Sequence, residues 1–211
     1  MTNINGIYQI RTLGDPCLNQ KVSDVENFDS TLSDMIASMK PFLSGNAIGL
    51  AANQVGILKN FFVWNSNGIS REIVNPRIID WGGALDHPEG CLSIPDTKFL
   101  IRRAQLVILE GYNIYGKKVR YQATGLEAAI FQHEVDHLNG MIALNSPNFI
   151  GVPDETSFEA VAESDSRGGY AGIIKLDGTA IWMTDVRFDD PEFAEEAAAQ
   201  SLIKKMFNLL K

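Results

Sequence analysis

The stretch QHEVDHLNG, residues 132–140, contains the two histidines that most constrain the fold. Capping and apolar patterns predict a helix over residues 125–139, and on a helix His133 and His137 share one face. Their ring nitrogens can then converge on one metal ion, while Glu134 between them can reach a water bound there. A solvent-exposed helix with two ordinary histidines is the alternative interpretation. The pattern favours a metal site built on a helix.

A catalytic metal site also needs a third protein ligand and an open position. The chain has three histidines, His87, His133 and His137, and two of them stand in the helical motif. Cys91, within EGCLSIP at residues 89–95, offers a thiolate, which binds zinc or ferrous iron strongly. Taken alone, such a cysteine is more often a small buried hydrophobic residue. Cys91 is therefore a candidate ligand because of the motifs that accompany it.

The composition indicates a folded, acidic protein. Of the 211 residues, 45% are hydrophobic, and 18 basic against 26 acidic side chains give a net charge of −8. Such a charge gives no broad attraction to nucleic acid or to an anionic membrane, so we expect no DNA or membrane partner. The chain has no signal-peptide pattern and no apolar run near the ~18 residues of a membrane span. With only two cysteines, a reducing, cytoplasmic setting is expected.

The charge also divides the chain near Ser146. Residues 146–211 contain 12 of the 26 acidic residues but only 6 of the 18 basic ones. We therefore predict a catalytic domain over residues 1–145 and an acidic C-terminal extension over residues 146–211. The extension is predicted to contain a strand pair, Ala171–Leu176 and Ala180–Thr184, and a terminal helix. Asp189 or Asp190 is predicted to cap this helix, which carries Phe193, Ala197, Ile203, Met206, Phe207 and Leu210 along one side.

Local patterns outside the metal motif predict both helices and strands. Apolar residues at helical spacing predict a helix over residues 28–43. Short apolar runs between residues 61 and 79, broken by Asn-Gly and Asn-Pro, predict strands and turns, and a hairpin is predicted over residues 105–122. Thr124 and Glu127 have the spacing of a capping box, which predicts that they cap the helix of the metal motif.

Three motifs in order resemble the signatures of peptide deformylase. They stand here as GLAANQVG (49–56), EGCLSIP (89–95) and QHEVDHLNG (132–140), and LGDPCL and VNPRI (74–78) are similar to further segments of that family. The resemblance covers about residues 7–145. It implies an α+β fold with small, mostly antiparallel sheets packed around a central helix that carries HExxH. An extra C-terminal α/β segment would follow.

The resemblance implies a metal-dependent hydrolase that removes the N-formyl group from the initiator methionine of nascent polypeptides and releases formate. Cys91, His133 and His137 would bind one divalent metal ion. The family favours Fe²⁺, and Zn²⁺, Ni²⁺ or Co²⁺ also suit these donors. Because a bound metal lowers the pKa of water toward ~7, hydroxide becomes available at neutral pH. Glu134 would be the general base and later the proton donor to the leaving amine.

The resemblance also assigns the groups that would contact the substrate. Gln54, through its side-chain amide, and Leu92, through its backbone N–H, would stabilise the oxyanion. A merely polar loop residue is the alternative for Gln54. Ile48 and Gly49 would run alongside the substrate backbone.

An apolar slot is expected for the methionine side chain. We place Leu126, Ala129 and Ile130 there because they lie on the turns before the metal motif, although simple core packing is the alternative, above all for Leu126. Glu89 and Gly90, directly before Cys91, are also expected at the substrate site.

Glu89 is in addition predicted to support the metal site from behind. A carboxylate two residues before Cys91 can pair with Arg103 and hold the strand that carries the thiolate. An exposed ion pair of little consequence is the alternative.

Three features depart from the family pattern. Ala47 replaces a family glycine, which puts the geometry of that loop in doubt. His87 stands at the rim of the substrate pocket, where apolar residues are more usual; it would make the rim polar or face solvent, and we favour solvent. The acidic extension over residues 146–211 weakens attraction to the ribosome, the partner the resemblance implies, so packing on the core, a small lobe or a dimer contact is favoured instead.

Two other functions are weighed. An HExxH hydrolase acting on internal peptide bonds would generally use a third histidine or an acid as ligand, not Cys91. A catalytically inactive relative would not need Glu134 and Gln54, which are both present. The sequence leaves the oligomeric state open.

Overall fold

The computed structural model describes residues 8–45, 47–151, 158–164, 169–176, 179–183, 188–192, 194–195 and 197–198. The described residues include two α-helices with continuous bounds, α1 (Ser30–Met39) and α2 (Gly125–Leu138). The strands are β1 (Gly49–Ala51), β2 (Phe61–Ser66), β3 (Ile69–Gly82), β4 (Leu85–Cys91), β5 (Ile94–Arg103), β6 (Leu106–Tyr112), β7 (Lys118–Thr124), β8 (Phe149–Gly151), β9 (Phe158–Ser164), β10 (Tyr170–Leu176) and β11 (Thr179–Met183). They form three antiparallel sheets, as the predicted fold class requires.

The largest sheet has the strand order β1-β2-β3-β6-β7. Its second strand is a continuous apolar run, Phe61–Trp64, that is buried on both faces. Asn75 and Pro76 do not end a strand, as the sequence suggested, but lie at a register shift inside β3. A proline cannot donate to the neighbouring strand, and a bulge accommodates it. The asparagine there has a positive φ of 50°.

The second sheet, β4-β5-β8, carries the thiol of Cys91 at the end of its edge strand. Leu92 and Ser93 form the turn that leads into β5. β8 pairs with β5 through Leu100 and Ile101, so the chain stays attached to this sheet as far as Gly151.

Helix α2 packs against strands of both sheets, because its buried residues lie on more than one side. Phe131 contacts the aromatic rings of Phe62 and Trp64, with centroids 6.0 and 5.2 Å apart. Trp64 is completely buried, and Tyr121 packs edge-on against it at 5.3 Å. These ring contacts fix the helix over the large sheet, while His133, Asp136 and His137 contact residues of the second sheet.

The predicted capping box at the start of α2 is wrong. Thr124 is the N-cap residue, but its side chain makes no capping hydrogen bond. The Glu127 carboxylate instead accepts a hydrogen bond from the buried indole of Trp64, whose Nε1 lies 3.0 Å from Glu127 Oε1. Burying an indole N–H without an acceptor is costly, so this partner outcompetes the helix terminus. Helix α1 is capped by Asp29, which accepts from the backbone N–H of Leu32 at 3.1 Å.

Within the extension, the two predicted strands are present as β10 and β11, and a third strand, β9, was missed. Residues 191, 192, 194, 195, 197 and 198 are helical, and Asp190 accepts from the backbone N–H of Glu192 at 2.9 Å, as expected of the cap. A Cβ atom at Gly172 of β10 would overlap the carbonyl oxygen of Ala194, so this helix lies directly against the sheet. Thr184, Phe193, Ile203, Met206, Phe207 and Leu210 lie outside the described residues. None of the helices described has the length and apolar character needed to cross a bilayer.

Candidate metal centre

The three predicted ligands come together in the structure. His133 and His137 project from one face of α2, and their Nε2 atoms are 3.2 Å apart. Cys91, brought in by the end of β4, places its Sγ 3.2 Å from His137 Nε2. All three donor atoms lie within 4.8 Å of one another, and within the residues described this is the group of His, Cys and acidic side chains that could hold a metal ion.

The spacing of these donors fits a tetrahedral ion. Bonds of about 2.0–2.1 Å to nitrogen and about 2.3 Å to sulfur place tetrahedral donors roughly 3.3–3.6 Å apart, which is close to the separations found. Glu134 supplies a second observation, because its Oε2 is buried without any hydrogen-bond partner. Three donors of the right chemistry therefore lie close together near an unpaired carboxylate oxygen.

The Cys91 thiol and the neighbouring imidazoles shift one another's pKa. Burial alone would raise the pKa of Cys91, but the charge of His137 and hydrogen bonds from both imidazoles hold this pKa well below its usual range. Burial alone would lower the pKa of His133, yet its contacts with Cys91 and Glu89 raise that pKa well above the ordinary value. The lowered pKa favours the thiolate, which is the form that binds a metal.

A buried ion pair stands behind His133. Arg103 donates through Nε and NH2 to the two oxygens of Glu89, at 2.7 and 2.8 Å. His133 Nδ1 is 2.8 Å from Glu89 Oε2, and since a carboxylate only accepts, this nitrogen donates and leaves Nε2 to face the site. The predicted alternative of an exposed ion pair is wrong, because the Arg103 and Glu89 side chains are only 3% and 6% exposed.

The same pair determines the charge of the carboxylate. Burial works to raise the pKa of Glu89, but the hydrogen bonds from Arg103 and His133 outweigh it and lower the pKa to about 2. Asp136 extends the network, accepting from Arg103 NH1 at 2.6 Å. Asp136 lies within the QHEVDH motif, but no role was predicted for it. Its spacing of three residues from His133, which puts both on one side of a helix, is the sequence signal that could have identified it.

Glu134 and Gln54 face the metal position from two sides. Glu134 is 3% exposed, and burial raises its pKa to about 7. The Gln54 amide has a fixed orientation, because Ala51 donates its backbone N–H to Oε1 at 2.8 Å. Nε2 then points to Ser93 Oγ at 3.2 Å and to Cys91 Sγ at 3.5 Å. Gln54 is 2% exposed, so its amide is buried within the site and not directed to solvent.

Ser93 is a functional neighbour that was not predicted. Its side chain is completely buried, and its hydroxyl accepts from the Gln54 amide. The signal was available in the sequence, since Ser93 follows Cys91 by two residues and belongs to the same quoted motif.

A cleft of about 780 Å³ opens beside these groups. Leu126 is 54% exposed at its edge, so the core-packing alternative is wrong for this residue. The other expected slot residues, Ala129 and Ile130, are buried but still line the cleft. The cleft is lined by nearly all of the predicted site residues, namely Ile48, Gly49, Gln54, Glu89, Gly90, Cys91, Leu92, Leu126, Ala129, Ile130, His133 and Glu134.

His87 also lines the cleft, which corrects the expectation that it faces solvent. Its side chain is 18% exposed, and its Nδ1 lies 4.0 Å from Glu89 Oε1. β4 places every second side chain on one face, so His87 lies on the face of Glu89. The rim is therefore more polar than the family pattern implies.

Gly49 lies against the catalytic candidate Glu134. A Cβ atom at position 49 would overlap Glu134 Oε1 and come within 3.0 Å of Ile130 Cγ2. The backbone of β1 can approach the carboxylate this closely only because glycine has no side chain. Ala47, the departure from the family pattern, is half-buried beside the same cleft.

Comparisons with known proteins agree with this geometry. The family model described as polypeptide deformylase matches residues 7–149. A peptide deformylase of Dictyoglomus turgidum is 36% identical over 140 residues, covering 66% of this chain and 92% of that protein. One of Halothermothrix orenii is 38% identical over 149 residues, covering 69% and 96%.

Solved structures give the same result. The crystal structure of peptide deformylase from Thermotoga maritima is matched with 35% identity and a TM-score of 0.60, over 64% of this chain and 94% of that one. A peptide deformylase from Synechococcus elongatus in complex with actinonin is matched with 34% identity and a TM-score of 0.64, over 68% and 79%.

Proposed function

This chain belongs to the polypeptide deformylase family, and on that premise we propose which of its residues carry out the reaction. The protein is a hydrolase that removes the N-formyl group from nascent polypeptides, with formate as the second product. It acts with a single catalytic metal ion. The observation that carries the residue roles is the convergence of one sulfur and two ring nitrogens beside the buried, unpaired carboxylate of Glu134.

Cys91, His133 and His137 would hold the metal. When bound, the ion supplies Lewis acidity and lowers the pKa of water, so that a nucleophile is available at neutral pH. We infer Fe²⁺ in the cell, because a thiolate and two imidazoles suit it and the family favours it, with Zn²⁺, Ni²⁺ and Co²⁺ as ions the same donors accept. Glu89 and Arg103 keep His133 oriented with Nε2 toward the site.

Glu134 moves the proton. Its carboxylate takes a proton from the attacking water and returns it to the amine that leaves. A pKa raised to about 7 by burial suits both steps, since a group that titrates near neutrality can accept and donate with little loss. The Oε2 atom of the Glu134 carboxylate makes no hydrogen bond and is available to accept the proton.

Gln54 and Leu92 stabilise the negative charge that develops on the formyl oxygen. The Gln54 amide is fixed before the substrate binds, because Ala51 holds Oε1 and leaves Nε2 directed into the site. Donors that are already fixed need no reorganisation during the reaction. In a comparable oxyanion hole, one such donor stabilises the transition state by roughly 2.7–4 kcal/mol. Leu92, which lines the cleft directly after Cys91, provides its backbone N–H.

The remaining cleft residues bind the peptide. Ile48 and Gly49 run alongside its backbone, and Leu126, Ala129 and Ile130 form the slot for the methionine side chain. Glu89 and Gly90 contribute the opposite wall, although both oxygens of Glu89 are already engaged by Arg103 and His133.

The division of the chain is also proposed. Residues 1–145 form the catalytic domain around the central helix α2, and residues 146–211 form an extension of unknown role. Nascent chains are the substrate, so we place the protein in the cytoplasm, with the ribosome as a partner. The negative charge of the extension weakens any attraction to ribosomal phosphates.

The assignment is tested with protein purified anaerobically and loaded with Fe²⁺. We expect formate release from a formyl-Met peptide, and we expect Glu134→Gln to lower kcat by roughly 10²–10⁴-fold while the metal content stays unchanged. Glu127→Gln is the matched control, because Glu127 lies on the same helix but contacts Trp64. Its rate should stay close to that of the wild type. No formate release by the fully loaded wild-type protein would instead indicate an inactive relative.

A further inference from the structure

Asn53 is a completely buried amide that joins three segments of the chain. Its Nδ2 donates to the carbonyl oxygen of His137 at 2.5 Å and lies 3.5 Å from that of Cys17. The backbone carbonyl of Asn53 accepts in turn from Cys17 Sγ at 3.3 Å. The next residue in the chain is Gln54, so this amide stands between the oxyanion donor and a metal ligand.

The contact with His137 lies at the end of α2, where carbonyl groups lack partners within the helix. The backbone N–H of Gly140 reaches the His137 carbonyl at 2.9 Å, and that of Val22 reaches the Leu138 carbonyl at 3.0 Å. Asn53 adds a side-chain donor to the residue that bears a ligand. The position of His137 is thereby tied to the loop that carries Gln54.

A second set of bonds holds this loop from the N-terminal side. We call residues 11–17 the N-terminal clamp; they include most of the LGDPCL motif, which had no assigned role. The backbone N–H of Arg11 donates to the Gln54 carbonyl at 2.7 Å, and that of Leu13 donates to the Ser93 carbonyl at 2.9 Å. Cys17, the last residue of the clamp, makes the contact with Asn53.

We propose that Asn53 is a positioning residue for deformylation, which fixes the oxyanion loop to the end of the metal-binding helix with the help of the N-terminal clamp. This inference rests on the proposed function of Gln54 and His137. Misplacing a donor by about 1 Å can cost 10²-fold in rate, so a link between these two residues matters to the reaction.

The amide is not explained by packing alone. Asn53 Oδ1 is buried without a hydrogen-bond partner, and a buried polar atom in that state destabilises the fold. An apolar side chain of similar volume, such as leucine, would avoid this loss. What an apolar side chain cannot do is donate to the His137 carbonyl, so the Nδ2 bond accounts for the residue type.

The test compares Asn53→Ala and Asn53→Leu with Asn75→Ala. Asn75 also bridges two segments through its amide, with bonds of 2.8 and 2.9 Å to the backbone of Val25, but it lies outside the cleft. Its positive φ of 50° means that alanine there should lose at least as much stability. Asn53→Ala and Asn75→Ala should unfold at lower urea concentrations, while only the Asn53 variants should lose kcat, by roughly 10- to 100-fold with a smaller change in KM.

The second measurement is zinc affinity, by chelator competition without substrate. The Asn53 variants should bind zinc roughly tenfold more weakly, and Asn75→Ala should bind like the wild type. Because no turnover is involved, this result tests Asn53 even if formate release fails. Wild-type kcat and zinc affinity in Asn53→Leu would overturn the proposal.

If the Asn53 variants do not fold, variants of Cys17 test the same link, because Cys17 connects the N-terminal clamp to Asn53. Cys17→Ala removes the donor to the Asn53 carbonyl, whereas Cys17→Ser keeps one. We expect kcat and zinc affinity to fall in the alanine variant and to be restored in the serine variant. Equal, wild-type values in both variants would contradict the proposal.

Discussion

The residues of the metal centre were predictable by type, but the orientation of their side chains was not. Helical spacing alone places His133 and His137 together, and a cysteine with three motifs in order supplies the third donor. The direction of the Gln54 amide depends on the Ala51 N–H and the Ser93 hydroxyl, neither of which stands out in a sequence. The cleft-facing position of His87 likewise depends on which face of β4 turns inward.

The Cys17 thiol is predicted to ionise only at high pH in the folded protein. Burial, together with the hydrogen bond and charge of Asp15, raises the pKa of the Cys17 thiol from its ordinary value of 9.0 to about 12. A raised pKa means that the contribution of this thiol to folding stability is complete below pH 9 and is lost as the pH rises toward 12. At pH 9 the folded protein should hold roughly a thousandfold less Cys17 thiolate than the unfolded chain.

Iodoacetamide alkylation, followed residue by residue with mass spectrometry, checks this prediction. The rate at Cys17 should keep rising above pH 10 in the folded protein, whereas in urea the midpoint of its rise should lie near pH 9. The same profile in both states would mean that Cys17 is not held as a protonated donor.

Two predictions about helices and strands, the capping box of α2 and the break at Asn75-Pro76, failed for the same reason. The capping box failed because the Glu127 carboxylate accepts from a buried indole. The break predicted at Asn75-Pro76 became a bulge because β3 pairs with β2 before this point and with β6 after it. Local patterns describe a segment and its nearest residues, whereas both outcomes were decided by residues far away in the chain.

The short strand β8 is predicted to contribute to the stability of the catalytic domain. It lies beyond the charge boundary at Ser146, yet it pairs with β5, and Phe149 packs against Phe99 with ring centroids 6.3 Å apart. A chain truncated after Gly151 should keep its formate release and most of its stability. A chain truncated after Asn145 should lose roughly 2–5 kcal/mol, because a buried phenylalanine is removed from the second core cluster.

Urea unfolding and formate release measure the two truncations side by side. Equal stability would show that β8 is dispensable and that the catalytic domain ends at the charge boundary.

For the whole molecule, a bound metal would add one more link between the second sheet and α2, beside the contacts that Glu89 and Arg103 make with His133 and Asp136. Cys91 belongs to the second sheet, and both histidines belong to the helix that rests on the first. We expect zinc at about 100 times its Kd to raise the free energy of unfolding by about 2.7 kcal/mol. Chelation should reverse the effect.

Two cysteine variants isolate this linkage in urea unfolding. Cys91→Ser should lose most of the zinc-dependent stability, whereas Cys17→Ser, which changes a thiol that is not a ligand, should retain it. Equal stabilisation of both variants would rule out Cys91 as a ligand.

One consequence follows from the glycine that lies against Glu134. A side chain at position 49 would meet the carboxylate of Glu134, the proposed general base, so we expect substitutions of this glycine to lower activity. An inhibitor that recognises the main chain of β1 here would therefore be hard to escape by a resistance mutation at its point of contact.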